Sequence, residues 1–264
     1  MNKIKIMGVL NITPDSFYDG DSQYLDKDYL QSKANDLQLA EIIDVGCESS
    51  RPGSNPLDVN SELKRLSYLI DGVSFNSNII LSIDTYKHEV AKFALTNGFA
   101  LVNDIYAGQF ENDKMCQVIS DYNASIGLVH MKGNPKDMET NTEYESILDN
   151  ILYFFENRIK KALDFGICEK NIIIDPGIGF GKSFEDNFKI IKNIKIFKSL
   201  GHEVLIGLSR KNFLTYKNDS PNDRLSATIA MNALSILNGA DIVRVHDVLE
   251  NIKMINTINQ YQKC

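Results

Sequence analysis

Residues 172–187 read IIIDPGIGFGKSFEDN, an apolar run followed by a glycine-rich turn that ends in Lys182-Ser183. Glycines ahead of Lys-Ser raise the possibility of a phosphate cradle, in which successive backbone N–H groups wrap the anion. The spacing excludes it. A P-loop needs Gly, four residues, then Gly-Lys-Ser/Thr, and counting back from Gly181 puts Pro176 where the first glycine belongs. The dinucleotide fingerprint G-x-G-x-x-G fails as well, because Gly177, Gly179 and Gly181 follow G-x-G-x-G and Lys182 takes the place of the last glycine. The plain alternative for Lys182-Ser183 is the cap of a helix beginning near Phe184-Glu185. Other chemically able groups also stand at the end of a short apolar run: Asn11, Asp44 with Glu48, Asp84, Asn103-Asp104, His130, Asp175, Ser209-Arg210-Lys211, and Arg244 with His246. Singly, several have ordinary explanations, since Asp before Pro starts turns and Asp84-Thr85 can cap a helix.

The runs that carry these groups are IKIMGVL, EIIDVG, IILSID, ALVND, SIGLVH, NIIID, EVLIGL and DIVRV. Between them lie segments with helical spacing, such as Ile147, Ile151, Phe154, Phe155, Ile159 and Ala162, or Ile190, Ile194, Phe197 and Leu200. Apolar strands alternating with amphipathic helices imply a parallel sheet covered by helices. Eight such units in 264 residues predict an α/β protein of the (β/α)8 TIM-barrel class, in a single domain spanning 1–264. A doubly wound open sheet is the alternative. In a barrel the C-terminal strand ends face one mouth, so the polar groups converge there and read together as a site. The longest connections follow strands one, two and five. Two of them, NITPDSFYDGDSQYLDKD and CESSRPGSNPLD, mix Pro, Gly and small polar residues in the manner of mobile lids.

Composition narrows the partners. The chain is 43% hydrophobic with a formal net charge of −7, which favours neither nucleic acid nor an anionic membrane surface. No apolar run approaches the roughly 20 residues that span a bilayer, and MNKIKIMGVL lacks the pattern of a signal peptide, so a cytoplasmic location is expected. Cys47, Cys116, Cys168 and Cys264 form no C-x-x-C, which fits reduced thiols rather than a zinc site or disulfide framework.

The stretches MGVLNITPDSFYDG, IIDVGCESSRPG, SIDTYKHEVA, NDI, HMKGNPKDM, IIIDPGIGFGKSFEDN, GLSRKNF and RVHDV, in order from residue 7 to about residue 248, resemble the dihydropteroate synthases. The resemblance implies a TIM barrel that binds pterin. The implied reaction joins 6-hydroxymethyl-7,8-dihydropterin diphosphate to p-aminobenzoate, releasing diphosphate and forming 7,8-dihydropteroate for folate synthesis. It implies a pterin pocket of Asp84, Asn103, Ile105, Met131, Asp175, Phe180 and Lys211, in which carboxylates accept from the N–H edge of an aminopyrimidine. It implies diphosphate binding by Asn11, Arg51, Arg244 and His246, with Mg²⁺ as cofactor on Asn11, and a p-aminobenzoate pocket of Phe17, Ser50, Arg51, Pro52, Lys211 and Ser209. Ser209 is expected to meet the carboxylate near a helix N-terminus. Asp19 is implied to stabilise the cation left when diphosphate departs, and Asp19, Lys211, Arg244 and His246 form the catalytic set.

The family's habits further imply a homodimer and a sulfonamide target, because those drugs resemble p-aminobenzoate. Three positions depart from the pattern: Cys47 stands where Gly is usual, Ser50 where Thr is usual, and Asp186 where His precedes Asn. Cys47 reads first as a packed small residue and second as an oxidisable thiol at the base of a lid. Two rival functions remain: methyl transfer from methyltetrahydrofolate to a corrinoid protein, which leaves the NITPDSF and RVHD groups without a purpose, and pterin binding without turnover.

Overall fold

The computed structural model describes residues 3–13, 26–49, 54–135, 138, 140 and 142–264. Eight parallel strands close into a barrel in sequence order, β1 (Lys5–Asn11), β2 (Ile42–Gly46), β3 (Ile80–Asp84), β4 (Leu101–Asp104), β5 (Ser125–Val129), β6 (Ile172–Asp175), β7 (Glu203–Ile206) and β8 (Ile242–Val245), with β8 pairing back onto β1. Closure excludes the open doubly wound sheet. The helices between the strands are α1 (Lys27–Asp36), α2 (Val59–Gly72), α3 (His88–Thr96), α4 (Phe110–Asp121), α5 (Ile147–Asp164), α6 (Phe184–Lys192), α7 (Ile194–Lys198), α8 (Leu225–Leu237) and α9 (Val248–Tyr261). The expected stripe on α5 is buried at Ile147, Ile151, Phe155, Ile159 and Ala162.

One expected stripe is divided. Ile190, Ile194, Phe197 and Leu200 do not share a continuous helix, because α6 ends at Lys192 and α7 begins at Ile194. Asn193 separates them, its side chain donating to Lys189 O at 2.8 Å while its backbone caps α6. A short amide that can satisfy nearby backbone competes with helix continuation at such points.

Side chains alternate across a strand, so residues i and i+2 face the same side of the sheet. Met7, Ile42, Leu101, Ile173, Leu205 and Ile242 form their own buried cluster, distinct from the larger core between strands and helices. Two residues further toward the C-terminal ends stand Asp44, Asn103, Asp175, Gly207 and Arg244. The same alternation that fills the barrel floor with apolar groups therefore raises a polar layer directly above it.

Candidate active site

The strand register sets the polar residues side by side. Asn11 pairs with Gly46, Gly46 with Asp84, Asp84 with Asn103, and Asn103 with Gly127. The two glycines make room: a Cβ at Gly46 would lie 2.8 Å from Asn11 Oδ1, and one at Gly127 would lie 2.8 Å from Asn103 Oδ1. Gly207 stands between Asp175 and Arg244 without crowding either, since a Cβ there would meet Asp175 Oδ2 and Arg244 Cβ at an ordinary contact distance of 3.8 Å each.

Arg244 organises the charges of this layer. Its Nε donates to Asp44 Oδ2 at 2.6 Å and its NH2 to Asp84 Oδ2 at 2.7 Å, while Ser82 Oγ donates to Asp44 Oδ1 at 2.6 Å. Asp44, fully buried, was legible as a strand-end group but was given no role by the sequence; its role is to aim the guanidinium. Burial pushes the Asp84 carboxyl up to about 7 against the pull of Arg244, with the negative Asp44 adding to the rise. Asp175 is also raised by burial, opposed by Lys211, and its Oδ1 accepts the Gly177 N–H at 2.7 Å. Burial holds the Lys211 ammonium down to about 8, with Asp175 opposing. Its Nζ donates to Ile178 O and lies 4.4 Å from the centroid of the Phe180 ring. Asn103 is 4% exposed, and its Oδ1 has no hydrogen-bond partner among the described residues. A buried carbonyl oxygen without a donor costs about 1–3 kcal/mol, so this atom marks where a ligand N–H belongs.

The glycine turn is shaped by close approach rather than by an anion. Gly177 has φ +68°, and a Cβ there would meet His130 O at 2.0 Å, so no other residue fits. Lys182 is not a helix cap. Its Nζ donates to His130 O at 2.8 Å and to Phe180 O at 2.9 Å and hydrogen-bonds His130 Nδ1 at 2.8 Å, tying the exit of β5 to the turn that carries Phe180. Burial drives the His130 ring down to about 2, leaving it neutral. Ser183 is the cap, accepting from Asp186 N at 3.1 Å, and Asp186 returns the contact by accepting from Ser183 Oγ at 2.8 Å. That gives Asp186 a structural purpose in place of the family's usual histidine. Lys182→Met will leave three polar atoms without their partner. Burial holds the Lys182 amine well below the ordinary lysine range, relief of that desolvation offsets part of the loss, and a net destabilisation of about 1–3 kcal/mol is expected by chemical denaturation.

The remaining expected residues divide by position. Asn11 ends β1, Ile105 is buried just past β4, and Met131 follows His130 beyond β5. Asp19, Phe17, Ser50, Arg51 and Pro52 lie outside the described residues. Ser209 lies against His246. Its hydroxyl stands 3.0 Å from His246 Nδ1, one residue ahead of Asp247, the N-cap of α9, so the nearby helix N-terminus is that of α9 and not the 3-10 turn Asn212–Leu214 that follows Ser209 in sequence. Asp104 folds back on its own loop, accepting from Tyr106 N and Gly108 N, each at 2.8 Å. Arg210 is held by Asp247, with Nε to Oδ2 at 3.0 Å. Cys47 is fully buried and burial raises its thiol far above the ordinary range, which makes it a packed residue and not a reactive one.

A parallel barrel with two carboxylates, an amide and a lysine at its mouth is the frame of a pterin site, and the family described as pterin binding enzymes matches residues 7–246. A dihydropteroate synthase of Clostridium beijerinckii is 40% identical over 251 residues, covering 93% of this chain and 90% of that protein. One from Bacillus subtilis is 38% identical, covering 96% and 86%. The crystal structure of the Clostridium difficile dihydropteroate synthase in the presence of pteroic acid superposes with a TM-score of 0.88 at 38% identity, covering 98% of this chain and 97% of that one. That of the Yersinia pestis enzyme with a sulfonamide drug superposes with a TM-score of 0.91 at 29% identity, covering 99% and 94%. The chain belongs to the pterin-binding enzymes, in their dihydropteroate synthase branch, and is a transferase.

Proposed function

We propose that the chain condenses 6-hydroxymethyl-7,8-dihydropterin diphosphate with p-aminobenzoate to give 7,8-dihydropteroate and diphosphate. The observation that carries this reading is the buried, partnerless Asn103 Oδ1 in register with Asp84, in a polar layer that also holds Asp175. Asp84 and Asp175 accept from the pterin's N–H edge, Asn103 accepts and donates, and Lys211 donates to the ring's acceptors. Ile105, Met131 and Phe180 pack against the ring. Arg244 and His246, with Arg51, meet the diphosphate, and Ser209 holds the His246 ring. Phe17, Ser50, Arg51 and Pro52, with Ser209, line the p-aminobenzoate pocket, and Asp19 faces the developing cation.

The arylamine is already nucleophilic when neutral, so the difficult step is loss of diphosphate from the pterin methylene carbon. The C–O bond to diphosphate breaks, the conjugated pterin shares the positive charge left on the methylene carbon, and the amine nitrogen then bonds to that carbon and releases a proton. Cationic groups that meet the leaving oxygens more closely as charge grows on them lower the barrier.

Mg²⁺ fits this site as a partner of the diphosphate. Asn11 offers one neutral oxygen at the mouth, and Mg²⁺ characteristically takes few protein ligands alongside substrate phosphates and water. Among the described residues, the compact His/carboxylate group is His88, Glu89 and Glu111, at the starts of α3 and α4. When bound, the ion supplies charge neutralisation on the leaving group.

A homodimer is the assembly that we propose. Leu234 and Leu237 on α8 and Phe184 and Phe188 on α6 are exposed, and α6 contacts α8, so they offer one apolar face for a second copy. A cytoplasmic location accords with the absence, among the described residues, of any helix long and apolar enough to cross a membrane. Resemblance of sulfonamides to p-aminobenzoate makes the enzyme their target.

Incubation with both substrates and Mg²⁺ tests the reading. Dihydropteroate must appear, and binding of the pterin without product would leave only a binding protein. The pH profile provides a finer test. Asp84 loses its accepting carboxylate as pH falls through about 7, and Lys211 loses its charge as pH rises through about 8. The kcat/KM for dihydropterin diphosphate should therefore be bell-shaped between those limits. Asp84→Asn should remove the acid limb along with most of the activity.

A further inference from the structure

The loop after β2 is closed at its stem. Arg65 of α2 donates to Cys47 O at 2.8 Å, Ser54 Oγ donates to Ser49 O at 2.6 Å, and the Leu57 N–H donates to Glu48 Oε2 at 2.9 Å. The last contact spans the loop from one side to the other. Glu48 Oε2 also receives Lys87 Nζ, which has a second carboxylate partner in Glu62 Oε2 at 2.5 Å. The side chains of Lys87, Glu48 and Glu62 are 7%, 13% and 0% exposed, so solvent and salt screen this cluster little. Lys87 lies three residues after Asp84, in the segment that joins β3 to α3. Glu48, Asp84 and Ile105 line one cavity of about 10 Å³, placing the loop stem against residues of the pterin pocket.

We propose that Glu48 and Lys87 are positioning residues: their ion pair holds the stem of the strand-two loop, whose sequence runs on into Ser50, Arg51 and Pro52, against the strand-three end that carries Asp84. The proposal rests on the reading that this loop meets p-aminobenzoate. Neither residue is required to touch substrate. Glu48 clasps the two sides of the loop through Leu57, and Lys87 fixes that clasp to the neighbouring strand end. The pair thus connects the pterin site to the p-aminobenzoate site through two side chains.

The test compares steady-state constants for both substrates in Glu48→Gln, Lys87→Met, Lys87→Arg and Arg51→Ala. Glu48→Gln keeps an oxygen for the Leu57 N–H but removes the charge that Lys87 holds. The KM for p-aminobenzoate should rise about tenfold in Glu48→Gln and in Lys87→Met, with the KM for dihydropterin diphosphate within about twofold of the parent. Lys87→Arg, which keeps the charge, should stay close to the parent. A general loosening of the fold would raise both KM values together, and that result, or an unchanged p-aminobenzoate KM in Glu48→Gln, overturns the proposal. Arg51→Ala separates the two failures. If it raises the p-aminobenzoate KM while Glu48→Gln does not, the loop binds that substrate without this pair. If Arg51→Ala leaves it unchanged, the assignment of the loop itself is wrong.

Discussion

Arg244→Ala will lose both stability and turnover. Asp44 and Asp84 share this one guanidinium, at 2.6 and 2.7 Å, and its removal leaves two carboxylates facing each other in the barrel interior. Removing one partner of a buried ion pair costs about 3–5 kcal/mol, and the thermal midpoint should fall accordingly. Asp84 moderates the loss, because without Arg244 its carboxyl rises further above its ordinary range and takes up a proton. A carboxyl whose folded pKa is raised binds more protons in the native state than in the unfolded one, so stability then increases as pH falls. The deficit relative to the parent should therefore be largest above pH 8 and smaller near pH 6. An Asp44→Asn/Arg244→Ala double variant should recover part of the stability without recovering activity. That combination distinguishes the structural duty of Arg244 from its contact with the leaving group. The latter should appear as a fall in kcat of about 100-fold, the scale found when a preorganised donor to a developing anion is removed. A rise in KM alone would make Arg244 a binding residue and nothing more.

Much of this site could be read from the chain because a polar residue closing an apolar run is conspicuous. Asp84 in IILSID, Asn103 in ALVND and Asp175 in NIIID each stand out, and barrel geometry brings them to one mouth. What escaped depends on distance along the chain. Lys182 resembled part of a helix cap because its sequence neighbours suggested one, whereas its ring partner His130 lies 52 residues earlier. Asp44 was visible at the end of β2, but its partner Arg244 lies 200 residues later on β8, and only closure of the barrel lets the two meet. The partner of Ser209 escaped for a different reason. It follows β7 by three residues, and a loop hydroxyl carries no periodicity to reveal its direction, which here is toward His246. The glycines of residues 177–181 showed by spacing what they were not. Their purpose, close approach of the turn to the backbone beyond β5, is a contact between two distant segments.

Asp175→Asn separates ligand recognition from folding more sharply than any other single change at the mouth. In the parent, Oδ1 accepts the Gly177 N–H at 2.7 Å and thereby fixes the start of the glycine turn. Asparagine retains one carbonyl oxygen for that bond, so the turn should survive. The NH2 group is then forced into the place of Oδ2, where a donor faces the donors of the pterin edge. A buried mismatch of this kind costs roughly 1–3 kcal/mol or more, which corresponds to a loss of pterin affinity of about 5- to 150-fold or more. The change also removes the negative charge that supports the Lys211 ammonium, whose pKa is already down to about 8. Without Asp175, burial acts on Lys211 with less opposition, and the charge is lost at lower pH. Residual activity should therefore show its alkaline limb displaced below that of the parent, while the acid limb set by Asp84 stays near its original place. Titration calorimetry with the pterin, thermal denaturation and the pH profile together decide the matter. Unchanged pterin affinity in a folded Asp175→Asn protein would remove Asp175 from the pocket, and with it one of the two carboxylates assigned to the pterin's N–H edge.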